Sequence, residues 1–307
     1  MSAPTLRPTA RAAESTRARF SGDAWLGAVL VTPAMLALVL FVVTPGLLAF
    51  VATMFEIDLS GRTEWEWAGL DNVRAVMTDP AVLQSLANTL IYSVLTIVPS
   101  LVIGLALALL ANSLGRGRPL VRTLLFLPFT ANLVAMAVVF RFIFDLRGGL
   151  ANTVLGLAGV GPINFLGDTA TALPTVAAVG VWRCAALAMI LFLAGLTSIP
   201  TAVHEAAAAD GISGWVKLRW VVLPLLKPIT IFVTVLMILQ SVQVFDTINV
   251  MTQGGPLGST ETVLTMVWRL GFTYYDLGQG AALSTMLLIL LIAVGILRRR
   301  SFSGESR

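Results

Sequence analysis

Six separate stretches of this chain are apolar for about twenty residues or more, the length a helix needs to cross the hydrocarbon core of a bilayer. They are Trp25–Phe55, Val82–Ala111, Leu120–Phe144, Leu173–Ile199, Pro228–Met251 and Gln279–Leu297. Pro33, Pro45, Pro99 and Pro128 fall inside them. Transmembrane helices tolerate proline because neighbouring helices re-satisfy the freed backbone groups. A large soluble helical protein would need polar helix faces, and these stretches have none. Only 12% of residues are charged, against roughly 25% in soluble domains. The expected fold class is therefore an all-α membrane protein with about six transmembrane helices.

Six spans place both termini on one side, and the basic residues decide which side. The segments on the terminal side hold 14 of the 20 Lys and Arg residues, from Arg7 through Arg116, Arg122, Lys217 and Lys227 to Arg307. The opposite loops hold 4, namely Arg62, Arg74, Arg147 and Arg269, and Arg141 and Arg183 lie within spans. Both termini are thus expected to be cytoplasmic. Residues 1–24 read as an Arg-rich, disordered cytoplasmic arm, 25–300 as the transmembrane domain and 301–307 as a cytoplasmic tail. The first apolar stretch is too long for a signal-peptide core and lacks a clear small-residue cleavage site. The opposite loops, 56–81, 145–172 and 252–278, carry tryptophans and Gly-rich turns such as Gly254-Gly255-Pro256. Their lengths suit re-entrant or interfacial helices rather than a folded domain. Trp65, Trp67, Trp268, Tyr274 and Tyr275 are most simply an interfacial belt.

Several chemistries are excluded by counting. The chain has one cysteine, Cys184, and one histidine, His204. It can form neither an intrachain disulfide nor a His-rich metal cluster. Neither of its two lysines, Lys217 and Lys227, ends a Gly-x-x-x-x-Gly-Lys pattern, so there is no phosphate-cradling loop. A membrane enzyme would need a nucleophile–base or metal constellation. An ion-coupled secondary transporter would want intramembrane carboxylates, and Asp246 is the only acidic residue near a span core.

One terminal-side segment, 200–228, stands out. Pro200 precedes a short helical run containing Glu205 and the alanines Ala206 to Ala209, followed by Asp210, Gly211 and a second run that ends at Leu223-Pro224. Alanines favour helix with almost no bulk, so such a helix can lie close against a partner's groove. Gly211 permits a turn that a Cβ would resist.

The spacing Glu205-Ala206-Ala207-x-x-x-Gly211, nine residues, Val221-x-Leu223-Pro224 resembles the signature loop of permeases in binding-protein-dependent ABC importers. Valine at 221 replaces the usual isoleucine. The resemblance continues in Gly69-Leu70-Asp71-Asn72, Leu127-Pro128-Phe129, Gly149-Leu150-x-Asn152, Ala194-Gly195-Leu196-x-Ser198-Ile199-Pro200 and Phe245-Asp246 through Gly254-Gly255-Pro256. Together these resemble the maltose/glycerol-phosphate branch, and within it the larger-subunit type of partner, without that subunit's large extra outer domain. The resemblance implies a type I ABC importer permease fold. It also implies a second homologous permease subunit, two ATPase subunits that use ATP and Mg, and an extracytoplasmic solute-binding protein. It implies no cofactor bound by this chain, no catalytic residue in it and no nucleic-acid partner. Glu205, Ala206, Ala207, Asp210, Gly211, Leu223 and Pro224 would form the ATPase-coupling loop, and the solute would be a sugar or a related polyol phosphate.

Polar residues inside spans are expensive and functional by default. Arg183 lies about 15 Å into its span at 1.5 Å per residue. Snorkelling or an interhelical salt bridge would account for it, and so would a polar contact on the solute pathway. Arg141 lies nearer a membrane face, where snorkelling suffices. Gln240, Gln243, Asp246 and Asn249 recur at three-residue steps on roughly one helical face. Interhelical hydrogen bonding explains such a row; a hydrophilic lining is the alternative, favoured for Gln240 and Gln243. Asp246 reads as structural, being part of a turn motif.

Overall fold

A computed structural model describes residues 25–57, 65–114 and 118–302. The arm 1–24 and the tail beyond residue 302 lie outside the described residues. The chain divides into two units, 1–52 and 53–307. The first unit contributes one apolar helix, α1 (Trp25–Ala52). Its turn at Val39–Val43 is a π-turn in which the Thr44 N–H reaches back five residues to the Val39 carbonyl. Pro45 follows directly. A proline ring collides with the carbonyl four residues before it in a regular α-turn, and a wider turn relieves that collision.

The second unit opens with a short antiparallel hairpin, β1 (Phe55–Glu56) and β2 (Glu66–Trp67), with Phe55 opposite Trp67. Then come α2 (Asp71–Thr78), α3 (Pro80–Ser113), α4 (Arg118–Thr130), α5 (Leu133–Ile143), α6 (Leu150–Leu157) and α7 (Ala172–Ser198). These are followed by α8 (Thr201–Ala209) and α9 (Gly214–Val242). The chain finishes with α10 (Asp246–Met251), α11 (Val263–Thr273) and α12 (Leu277–Phe302). Four helices, α1, α3, α7 and α9, are long and apolar enough to cross a membrane, and the bent pair α4–α5 makes a fifth crossing if taken as one span. With α12 the count reaches six. The protein is thus a mostly helical membrane protein with four to six apolar spans.

Two expected spans are corrected. Leu120–Phe144 is not one straight helix, because α4 and α5 meet at an angle of 93°. Pro128 cannot donate to the turn before it. Asn132 then takes an extended conformation and starts α5 afresh, its side-chain oxygen accepting from the N–H groups of Val134 and Ala135 at 3.0 and 3.1 Å. The second helix of the 200–228 segment does not end at Leu223-Pro224 either. It runs through a π-turn at Leu218–Val222, where the Leu223 N–H donates to the Leu218 carbonyl, and continues as α9 to Val242. Pro224 widens that turn as Pro45 does in α1. The expected fifth span, Pro228–Met251, breaks at Gln243–Phe245, leaving α10 as a separate short helix.

α7 is the most buried of the long helices. It packs along α3 on a seam of small residues, the usual way bilayer helices approach closely. A Cβ on Gly104 would run into Ala188 and stand 3.1 Å from the Ala185 carbonyl, and one on Gly180 would sit 2.5 Å from the Tyr92 hydroxyl. The loop-side ends are pinned by asparagines. Asn72 donates to the carbonyls of Thr53 and Phe55 at 3.0 and 2.8 Å. Asn152 exchanges two bonds with the backbone of Ile163, at 3.0 and 2.9 Å. Both belong to Gly-Leu-x-Asn motifs, and both staple a loop that a helix alone would leave free.

Candidate functional site

The loop helix α8 is defined by its C-terminal cap. Gly211 has φ of +71°, the Gly211 N–H donates to the Ala208 carbonyl at 3.1 Å, and the Ile212 N–H donates to the Ala207 carbonyl at 2.8 Å. This pair of bonds is the Schellman arrangement, which glycine favours because it carries no Cβ penalty at positive φ. Glu205, Ala206, Ala208, Ala209, Asp210 and Gly211 are exposed, whereas Leu223 is half-buried and Pro224 is exposed. Ala207 departs from the expected picture of a row of alanines facing outward. It is only 5% exposed, so its methyl faces the protein and added bulk there strains the fold before it meets any partner.

A second cluster forms midway along the spans. A cavity of about 60 Å³ is lined by Arg183, Gly180 and Cys184 of α7, Tyr92 and Thr96 of α3, Gln240 and Ser241 of α9, then Gln243 and Asp246. Arg183, Gln240 and Gln243, singled out by sequence, therefore converge. The Arg183 guanidinium lies 5.0 Å over the Phe129 ring, and its Nε is buried with no hydrogen-bond partner among the described residues. It faces a cavity, and it makes no salt bridge among the described residues. The space suits a few waters and is too small for a sugar ring.

Asn249 does not join this cluster. It lines a second cavity of about 410 Å³, nearer the loops, with Gln253, Thr265, Trp268, Thr273 and the pair Glu261–Arg269. Glu261 is almost wholly buried and ion-paired with Arg269, whose Nη2 also donates to the Gln253 carbonyl at 3.0 Å. Burial pushes the Glu261 carboxyl above its ordinary value of 4.5, against the opposing pull of the Thr265 hydroxyl and Arg269. Gly254, at φ +82°, lies against this pair, and a Cβ there would run into the Glu261 carboxylate.

Residues 89–302 match the family described as the binding-protein-dependent transport system inner membrane component. The chain belongs to this family. The permease is 33% identical to the sn-glycerol-3-phosphate transport system permease protein UgpA of Pectobacterium atrosepticum, over 91% of this chain and 94% of that one. It is 30% identical to the trehalose/maltose transport system permease protein MalF of Thermococcus litoralis, over 89% and 92%. A crystal structure of a bacterial alginate ABC transporter, in complex with an alginate pentasaccharide-bound periplasmic protein, contains a chain of the same fold. Its TM-score is 0.79 at 20% identity, covering 91% of the permease and 94% of that chain. Membership makes this protein a multi-pass inner-membrane permease subunit and not itself an ATPase.

Sequence reasoning missed three parts of the permease's site. Tyr92 and Thr96 enter the mid-span cavity from α3, where Ser85, Asn88, Thr89, Ser93, Thr96 and Ser100 form a buried polar stripe. Their helical spacing was a legible signal. Phe129 reaches Arg183 because α4 packs against α7, a pairing that no local pattern announces. Glu261 lies in the loop before α11 and Arg269 on α11, eight residues later, and no local pattern marks them as partners. Arg141, read as snorkelling, donates to the Val250 carbonyl at 3.3 Å, close to the end of α10.

Proposed function

We propose that the permease is half of a heterodimeric pathway that imports a sugar or a related polyol phosphate, driven by ATP hydrolysed on partner subunits. A second homologous permease completes the pathway, and two ATPase subunits, using ATP and Mg, dock on cytoplasmic loops. An extracytoplasmic binding protein delivers the solute. Both termini are cytoplasmic, a reading that the 14-to-4 charge asymmetry supports. The solute class is supported by relatives named for glycerol phosphate and for trehalose and maltose.

The observation that carries the reading is the position of α8. It is the only helix between α7 and α9, and these two helices carry Arg183, Gln240 and Ser241 of the mid-span cavity's polar lining. α9 runs without interruption from Gly214 to Val242, about 40 Å at 1.5 Å per residue. A push on α8 therefore reaches the cavity through two stiff rods. The Schellman cap keeps α8 at a set angle to α9, and the exposed Glu205, Ala206, Ala208 and Ala209 offer a low, close-fitting surface to a partner groove. Closure of the ATPases would move these loops together and open the pathway outward, a rigid-body form of alternating access. Arg183, Gln240 and Gln243 meet the solute as it passes. The cavity in this chain is too small for a sugar because the partner permease supplies the other wall.

The test is reconstitution of the permease with its partner permease, ATPase and binding protein. Ala206→Trp, on the exposed face of α8, should pair normally with the second permease yet lose solute-stimulated ATP hydrolysis and uptake. Uptake at the wild-type rate would show that α8 is an ordinary connection.

A further inference from the structure

The larger cavity, between α10 and α11, has the features of a ligand site that the pathway reading leaves unassigned. Its volume of about 410 Å³ falls in the range of small-molecule pockets, roughly 300–1,000 Å³. It holds about seven times the volume of the mid-span cavity. Its lining mixes one large aromatic face with neutral donors and acceptors. Trp268 is 42% exposed. Around it stand the amides of Asn249 and Gln253 and the hydroxyls of Thr265 and Thr273. Amides and hydroxyls both donate and accept, which suits vicinal hydroxyls that do the same. The apolar C–H face of a pyranose can lie on an indole ring whose edge is already fixed by packing.

The charge balance narrows the class further. Among the described residues the ionisable groups in the lining, Glu261 and Arg269, are turned toward each other, and Arg269 is also engaged by the Gln253 carbonyl. With its charge balanced by Glu261 and its Nη2 doubly engaged, this guanidinium is a weaker anchor for a phosphate or carboxylate than an unpaired arginine. The site therefore suits an uncharged solute. Its position relative to the mid-span cavity is set by one aromatic contact. The Trp268 ring meets the Phe245 ring at 6.1 Å between centroids, and Phe245 lines the mid-span cavity. The two cavities are thus separated by an aromatic pair, with Phe272 stacked behind Trp268 at 6.4 Å.

We infer that the Asn249–Trp268 cavity is a receiving site for an uncharged saccharide, which stacks on Trp268 before it passes the Phe245–Trp268 pair into the mid-span cavity. This rests on the importer reading above. It departs from an interfacial-belt role for Trp268, which would give the ring no dependence on solute.

The experiment uses the complete importer in proteoliposomes, with maltose, trehalose and lactose as uncharged probes and sn-glycerol-3-phosphate as the charged one. For the transported disaccharide, Trp268→Ala should raise the uptake KM by roughly three- to tenfold, the range expected for loss of one aromatic stacking contact. Trp268→Phe, which keeps a stacking face, should stay within about twofold of wild type on the same scale. Asn249→Ala removes lining without touching the aromatic packing and should raise KM in the same direction. Unchanged KM in Trp268→Ala and Asn249→Ala, with transport intact, would overturn the receiving site and leave the importer reading standing. A fall in maximal rate alone, equal in Trp268→Ala and Trp268→Phe, would assign the ring to the membrane belt and overturn the site. Uptake of sn-glycerol-3-phosphate alone would overturn the uncharged class. Failure of the wild-type complex to take up any of the four probes would overturn the importer reading and the site together.

Discussion

Replacing Gly254 with alanine should destabilise the permease markedly. Two costs combine. Gly254 has φ of +82°, and a left-handed conformation costs an L-residue roughly 1–2 kcal/mol. The added Cβ would also run into the Glu261 carboxylate and stand 2.8 Å from Arg269 Nη2, so the ion pair must part. The Glu261 side chain is 3% exposed and Arg269 32%. Breaking a fully buried pair costs about 3–5 kcal/mol, and solvent at Arg269 reduces this to about 1–2 kcal/mol. The sum, about 2–4 kcal/mol, corresponds to a melting shift of roughly 3–6 °C for a chain of this length. The protein supplies its own reporter, because its single cysteine, Cys184, is 7% exposed. A fluorogenic maleimide reads unfolding of the purified permease through that one thiol. Gly156→Ala is the control, since a Cβ there meets nothing within 4 Å. A Glu261→Ala background should shrink the Gly254→Ala cost to its strain part, the signature of coupled neighbours. A Gly254→Ala melt within about 1 °C of wild type, or an undiminished cost in the Glu261→Ala background, would refute the reasoning.

Three further outcomes follow from the same geometry. Ala207→Leu should lower the melting temperature, because overpacking a buried site costs about 1–3 kcal/mol, whereas Ala208→Leu on the exposed face should leave it unchanged while impairing ATPase docking; equal melts would mean that Ala207 is not packed. Gly211→Val should cost about 1–2 kcal/mol from backbone strain alone, since a Cβ at Gly211 meets nothing within 4 Å, and an unchanged melt would remove the Schellman cap from the account. The folded permease keeps a proton on Glu261 at pH values where the unfolded chain has released it, so this group lowers the melting temperature as pH rises from 4.5 through its raised midpoint; Glu261→Gln should abolish that component, and an unaltered pH profile would count against it.

The membrane class and the approximate position of every long helix were legible in the sequence because bilayer insertion depends on local composition. Twenty apolar residues are a property of a segment and need no partner to be recognised. The cap at Gly211 was legible for the same reason: its hydrogen bonds join residues only a few positions apart. The asparagines of the Gly-Leu-x-Asn motifs could be noticed but not explained, since Asn72 and Asn152 bond to backbone 11 to 19 residues away. Tertiary structure alone decided three things. The third stretch bends by 93° only after Thr130, two residues past Pro128, although Pro33 and Pro99 sit inside helices that continue past them, and the packing of α4 on α7 brings Phe129 to Arg183. Ala207 turns inward while its alanine neighbours face out, a distinction that four identical residues cannot encode. Asn249 shares a helical period with Gln240 and Gln243, yet the break at Gln243–Phe245 rotates it into another cavity. In each case the outcome depends on which surfaces meet across long sequence separations, and periodicity within one segment carries no record of that.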